Sequence, residues 1–178
     1  MKRVLLSVLL VVVVAVCGIL VYAATLPDSF RVTRSATIDA PPEAVYPLIA
    51  DFRNWTRWSP WEHRDPQLER TYSGAPSGKG AVYQWVGNSD VGEGRMEITE
   101  TSEPSNVRLS LQFVRPFEAQ NEVEFGLAPE GDATRVTWSM DGKTSYLAKV
   151  IHVFVDMDAM VGGDFESGLA AMKEAARQ

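Results

Sequence analysis

The first hydrophobic pattern along the chain has no period: Val4 to Ala24 is an almost unbroken apolar run entered through Lys2 and Arg3. At about 1.5 Å of rise per residue, a helix of this length spans roughly 30 Å, the hydrocarbon thickness of a bilayer. Residues 1–25 therefore read as a transmembrane anchor. A cleaved signal peptide competes with that reading, because Val21-Tyr22-Ala23 resembles a weak cleavage site. Signal peptides carry about 7 to 15 apolar residues, however, and this run is longer. Cys17 is not placed like a lipoprotein cysteine, since Val16 precedes it and Gly18-Ile19-Leu20-Val21 continues the run. With Lys2 and Arg3 ahead of the helix, the chain is expected to be single-pass, its N-terminus cytoplasmic and its domain periplasmic or otherwise extracytoplasmic. Arg31 and Arg34, on the far side, oppose that orientation.

After a short linker over residues 26–29, the pattern becomes periodic, and residues 30–178 read as one domain. Phe30 to Ile38 alternates with period two and predicts a strand, with Phe30, Val32, Arg34, Ala36 and Ile38 on one side. Pro42 to Ala50 predicts a short helix: proline suits its first turn, Glu43 suits the positive end of its dipole, and Val45, Leu48 and Ile49 form a buried stripe. Trp55, Trp58 and Trp61 follow in a stretch broken by Pro60, expected to be a helical turn and then a loop. Such a cluster is a membrane belt, a ligand wall or core packing, and core packing is the ordinary use of Trp.

Strands then dominate. Leu68–Tyr72, Ala81–Val86, Arg95–Glu103 and the segments centred on Leu109, Phe125 and Trp138 alternate between apolar and polar sides. Six or seven successive strands imply an antiparallel meander with one dry face. From Ser145 the period lengthens to that of a helix, with Leu147, Val150, Ile151, Phe154, Val155, Met157 and Met160 as a stripe. Phe165, Leu169, Met172 and Ala176 resume it after Gly162-Gly163, where a bend or break is expected. A broad apolar helix needs a large surface to cover, and the dry sheet face supplies it. The expected class is α+β, a curved antiparallel sheet wrapped around a long C-terminal helix.

Charge and composition remove some functions. A net charge of -6 without a Lys/Arg cluster argues against a nucleic-acid partner. The single Cys excludes an intramolecular disulfide, so core packing must hold the domain. With only His63 and His152 as imidazoles, metal ligands are scarce, and neither a metal nor another cofactor is expected. No G-x-S-x-G motif is present, and Gly92-Glu93-Gly94 reads as a turn or bulge. Arg34 and Arg95 either reach inward to hold a carboxylate or sit at exposed edge positions, and the edge is the expectation, since an unpaired charge in a core is costly.

Several segments carry a resemblance. They are Ile38-Asp39-Ala40-Pro41-Pro42-Glu43-Ala44-Val45-Tyr46, Asn54-Trp55-Thr56-Arg57-Trp58-Ser59-Pro60-Trp61, Tyr72-Ser73-Gly74, Gly92-Glu93-Gly94, Thr134-Arg135-Val136-Thr137-Trp138 and Asp164-Phe165-Glu166-Ser167-Gly168-Leu169. In their order they resemble the START-like, or SRPBCC, superfamily in its polyketide cyclase/dehydrase-like branch, from about Phe30 to Ala176. The resemblance implies a helix-grip fold with an apolar cavity between sheet and helix, used by members for lipids, polyketides, sterols or other hydrophobic molecules. It carries no fixed catalytic motif onto this chain.

Inward strand positions and the elements covering them supply candidate ligand-binding residues: Trp58, Trp61, Tyr83, Trp85, Met96, Phe113, Trp138, Met140 and Met157. A filled core that binds nothing is the competing reading of the same residues. The leading expectation is a membrane-tethered domain that binds or transports a hydrophobic small molecule or lipid. The alternatives are a cyclase/dehydrase-type enzyme, in which His63, Tyr83 or Glu97 moves a proton, and a scaffold domain without a ligand.

Overall fold

The structure, a computed structural model, describes residues 2–177 and the side chains from Val4 onward, so the Lys2 and Arg3 charges lie outside the described side chains. Helix α1 (Lys2–Thr25) leads into β1 (Ser29–Ile38), α2 (Pro42–Ala50) and two 3-10 turns, Phe52–Arg57 and Pro60–His63. Six strands follow: β2 (Glu69–Gly74), β3 (Ala81–Val86), β4 (Glu93–Ser102), β5 (Asn106–Arg115), β6 (Ala119–Glu130) and β7 (Ala133–Lys143). Helices α3 (Tyr146–His152) and α4 (Met157–Ala175) complete the chain.

All neighbouring strands are antiparallel, in the order β1-β7-β6-β5-β4-β3-β2. After β1 the chain crosses to the far edge through α2 and the 3-10 turns, then winds back until β7 lies beside β1. The curved sheet grips α4, giving the helix-grip architecture. Alternation sets the dry face: Ile98, Val107, Leu109, Phe125 and Val136 are fully buried. Each contributes about 1.5–3 kcal/mol relative to exposure.

The Trp-rich turn is held by the end of α2. The last carbonyls of a helix lack intrahelical donors, and here indoles supply them. Trp55 Nε1 donates to the Ile49 carbonyl at 3.0 Å, and Trp58 Nε1 donates to the Leu48 carbonyl at 2.8 Å. Both rings are buried, and Trp58 stands edge-on to Phe125 and Trp138.

Three expectations change. The C-terminal helix breaks at Val153–Asp156, not at Gly162-Gly163: the Asp156 side chain accepts from the Ala159 N–H and starts a fresh helix that runs through both glycines. Arg34 is not a solvated edge residue. Its Nε donates to Glu166 at 2.7 Å and its Nη2 to Asp158 at 2.8 Å, tying β1 to α4. The expected buried stripe from Leu147 onward is not buried at its start either, since Leu147 and Ile151 of α3 and Phe154 in the turn after it face outward.

Candidate functional site: an apolar cavity under the C-terminal helices

Side chains from the inner sheet face and from α3 and α4 do not meet everywhere. They leave a cavity of about 550 Å³ lined mainly by apolar groups, within the size range of small-molecule sites. Trp85 of β3, Met96 of β4 and Phe113 of β5 form one wall, and Trp138 and Met140 of β7 form another. Trp61 of the second 3-10 turn and Met157 of α4 close over them. The alternating pattern placed these side chains on the inner face because period two assigns a face.

Trp58, another predicted wall residue, does not line the cavity. Its indole is drawn toward the Leu48 carbonyl and packed beneath Trp138, so it supports the wall from behind. Gly94 leaves room for that wall: a β-carbon there would lie 2.4 Å from Trp85 Cζ2, at a bulge between β4 and β5.

The polar groups are few and mostly paired. Tyr83 projects into the cavity wall, and its hydroxyl donates to Glu62 Oε1 at 2.7 Å. Glu62 is 5% exposed, and Arg70 holds it with Nε on Oε2 at 2.6 Å and Nη2 on the Glu62 carbonyl at 2.9 Å. Burial raises the Tyr83 phenol well above its ordinary pKa, and the Glu62 hydrogen bond raises it further. The hydrogen bond from Arg70 to Glu62 raises the guanidinium pKa in turn. Arg64 reaches across to Asp164 of α4 and pairs the turn with the helix at the cavity edge. Among the described side chains, Trp138 Nε1 is a buried donor without a hydrogen-bond partner.

Of the three proton-transfer candidates, only Tyr83 faces the cavity. His63 is exposed on the far side of its turn and absent from the lining. Glu97 points to the outer sheet face, where Arg95 Nη2 donates to its Oε2 at 2.6 Å. Both positions follow from local geometry: one 3-10 turn directs Glu62 inward and His63 outward, and strand alternation turns Glu97 away from Met96.

Sequence reasoning missed Glu62 and His152. Glu62 sits in a charged tetrapeptide that looks solvated, and only the return of β2 brings Arg70 to it. His152 lines the cavity from the end of α3. Among the described residues, no group of three or more His, Cys, Asp or Glu side chains is arranged to hold a metal ion.

A helix-grip domain with an apolar hollow under its C-terminal helices belongs to the class of hydrophobic-ligand folds. The sequence makes the assignment closer: residues 29–177 match the family described as polyketide cyclase / dehydrase and lipid transport, and the chain belongs to that family. No curated protein matches the sequence. Among solved structures, a Chromobacterium violaceum protein shares 13% identity with a TM-score of 0.60, covering 86% of this chain and 99% of its own. The Aha1 dimer from Colwellia psychrerythraea has 17% identity and a TM-score of 0.59, over 83% of this chain and 96% of its own. Major latex-like protein 151 from Panax ginseng has 13% identity and a TM-score of 0.59, over 83% and 97%. At these identities the likeness is one of fold.

Proposed function

We propose that this protein binds or transports a hydrophobic small molecule or lipid in the cavity while α1 tethers it to a membrane. The observation that carries the reading is the hollow itself. Side chains able to fill it leave about 550 Å³ open, with Trp85, Met96, Phe113 and Met140 presenting apolar surface to it. Family membership supports hydrophobic ligands in general. Val4–Thr25 is long and apolar enough to cross a bilayer, which supports the tether, and Lys2 and Arg3 ahead of it support an extracytoplasmic domain. Binding is by partition: apolar surface leaves water, while the Tyr83–Glu62 pair on the cavity wall offers a ligand hydroxyl its few polar contacts.

A cyclase-type reaction is the second reading, because Tyr83 and Glu62 stand on the cavity wall. The geometry favours binding over chemistry. The Tyr83 proton is committed to Glu62, and the raised phenol pKa makes it a poor proton donor near neutrality.

The test is native mass spectrometry of the full chain released from lipid nanodiscs, with saturable displacement of a fluorescent fatty-acid probe alongside. A lipophilic adduct and displaceable probe are expected, and Leu111→Trp, which projects a larger ring from the cavity wall, should reduce both. An empty protein that also fails to take up the probe overturns the reading.

A further inference from the structure

Helix α3 is inside out. Lys149 is 6% exposed and turned to the protein, where its Nζ pairs with Asp28 Oδ1 at 2.5 Å. Leu147 and Ile151 on the opposite side, and Phe154 in the turn that follows the helix, are 65%, 44% and 70% exposed. A helix folded against a soluble core shows the reverse arrangement. Exposed Phe117 and Met160 belong to the cavity lining, as do Ala148 and His152 of α3 itself, so the outward apolar stripe borders the way into the cavity. An apolar surface of this kind at a cavity mouth marks a contact site.

What covers it follows from α1. The two helices pack together where the apolar run of α1 ends: Ala23 is fully buried, and the Tyr146 hydroxyl donates to the Leu20 carbonyl at 2.9 Å. Tyr22 and Tyr146 are both half exposed beside this junction, the position that tyrosines take at the level of lipid headgroups. Asp28 and Lys149 fix the linker to the same helix, so the junction is clamped at two points. If α1 crosses the bilayer, α3 lies at the surface of that same bilayer.

Resting on the carrier reading above, we infer that α3, with Phe117 and Met160, is an interfacial collar that seats the cavity mouth on the membrane spanned by α1, so that the ligand is drawn from that leaflet. The partner is a lipid surface. The collar buries Leu147, Ile151 and Phe154 among headgroups and acyl chains, and the clamp keeps the domain from swinging away.

Site-directed fluorescence on the full chain in phosphatidylcholine/phosphatidylglycerol vesicles tests it. With Cys17→Ser as background, an environment-sensitive dye is placed at Phe154→Cys, at Leu147→Cys, and at Arg108→Cys on the outer sheet face as control. Quenching by nitroxide-labelled lipid is expected at the first two positions and not at the third. Equal, weak quenching at all three overturns the collar. Energy transfer between differently labelled chains without lipid quenching also overturns it, showing that a second copy covers the stripe. In the same vesicles, Leu147→Asp with Phe154→Asp should slow uptake of a fluorescent fatty acid by about tenfold, the effect of losing buried apolar contact, while occupancy after loading from detergent stays unchanged. Unchanged uptake counts against the collar. Loss of occupancy in wild type under both loading routes, with quenching at position 154 retained, defeats the carrier reading and leaves the collar standing.

Discussion

Gly162 of α4 lies directly over the Arg34 guanidinium of β1, so closely that a β-carbon at position 162 would sit 2.0 Å from Nη2. The same guanidinium donates to Asp158 and Glu166, one turn to either side of the glycine, and holds the Asp158 carboxyl below its ordinary pKa. The close approach lets the helix lie flat on the strand and form the roof of the cavity.

Gly162→Ala should therefore push Arg34 out of its two ion pairs and destabilise the domain by about 1–2 kcal/mol despite the better helix propensity of alanine. Gly163→Ala has nothing within 4 Å of its new β-carbon and should be neutral or stabilising by up to about 1 kcal/mol. Urea unfolding of the two variants checks the pair, and equal effects would show that the approach to Arg34 is without consequence.

Glu62 is the polar hinge of the cavity wall. Glu62→Leu strands the Arg70 guanidinium and the Tyr83 hydroxyl together and should cost about 3 kcal/mol, whereas Tyr83→Phe removes one hydrogen bond and should cost about 1 kcal/mol. The Tyr83→Phe protein should still take up a purely apolar probe. Thermal melts with probe titration measure both effects.

The Tyr83 phenol gives stability a sign against alkaline pH. Its folded pKa lies above the unfolded value of about 10, so the native state keeps a proton that the unfolded chain releases. Its contribution is fully present below about pH 10 and is lost as pH rises beyond it. The unfolding free energy of wild type should fall more steeply between about pH 9 and 11 than that of Tyr83→Phe, measured by urea titration.

Asp28 gives the opposite sign. The Lys149 hydrogen bond lowers its folded pKa, so the contribution of the clamp is present above about pH 4 and lost as pH falls through that lowered value. Asp28→Asn should match wild type at strongly acidic pH and fall below it near neutrality. Hydrogen exchange at the Lys149–Val153 amides, which lie in and after α3, should report the difference.

Gly94→Ala is expected to be the most damaging of the glycine changes, because the new β-carbon would lie 2.5 Å from the Gln112 carbonyl oxygen as well as against Trp85. Backbone on one side and a packed indole on the other cannot both yield. A loss above about 3 kcal/mol, or failure to fold, is the expected outcome in an expression and melting comparison with Gly163→Ala.

Local periodicity made much of this molecule legible. Alternation placed Trp85, Met96, Phe113, Trp138 and Met140 on one sheet face, and the aperiodic run of α1 marked a helix long enough to cross a bilayer. That rule had no hold on Trp58, whose turn carries no period and whose indole, expected among the elements covering the cavity, is claimed by a helix carbonyl ten residues earlier in the chain.

By itself, then, the sequence determined the order of strands and helices, the dry face of the sheet and the membership of its family, because side-chain period and segment wording are local properties. Only the tertiary structure decided that Glu62 turns inward to Tyr83 and Arg70, that Gly162 serves a close approach and not a helix break, and that α3 buries its lysine and displays Leu147 and Ile151. Each of these depends on which distant chain segment arrives beside the residue. A periodic pattern predicts that a helix has an apolar side, but the neighbour it packs against decides whether that side faces a core or something outside the chain.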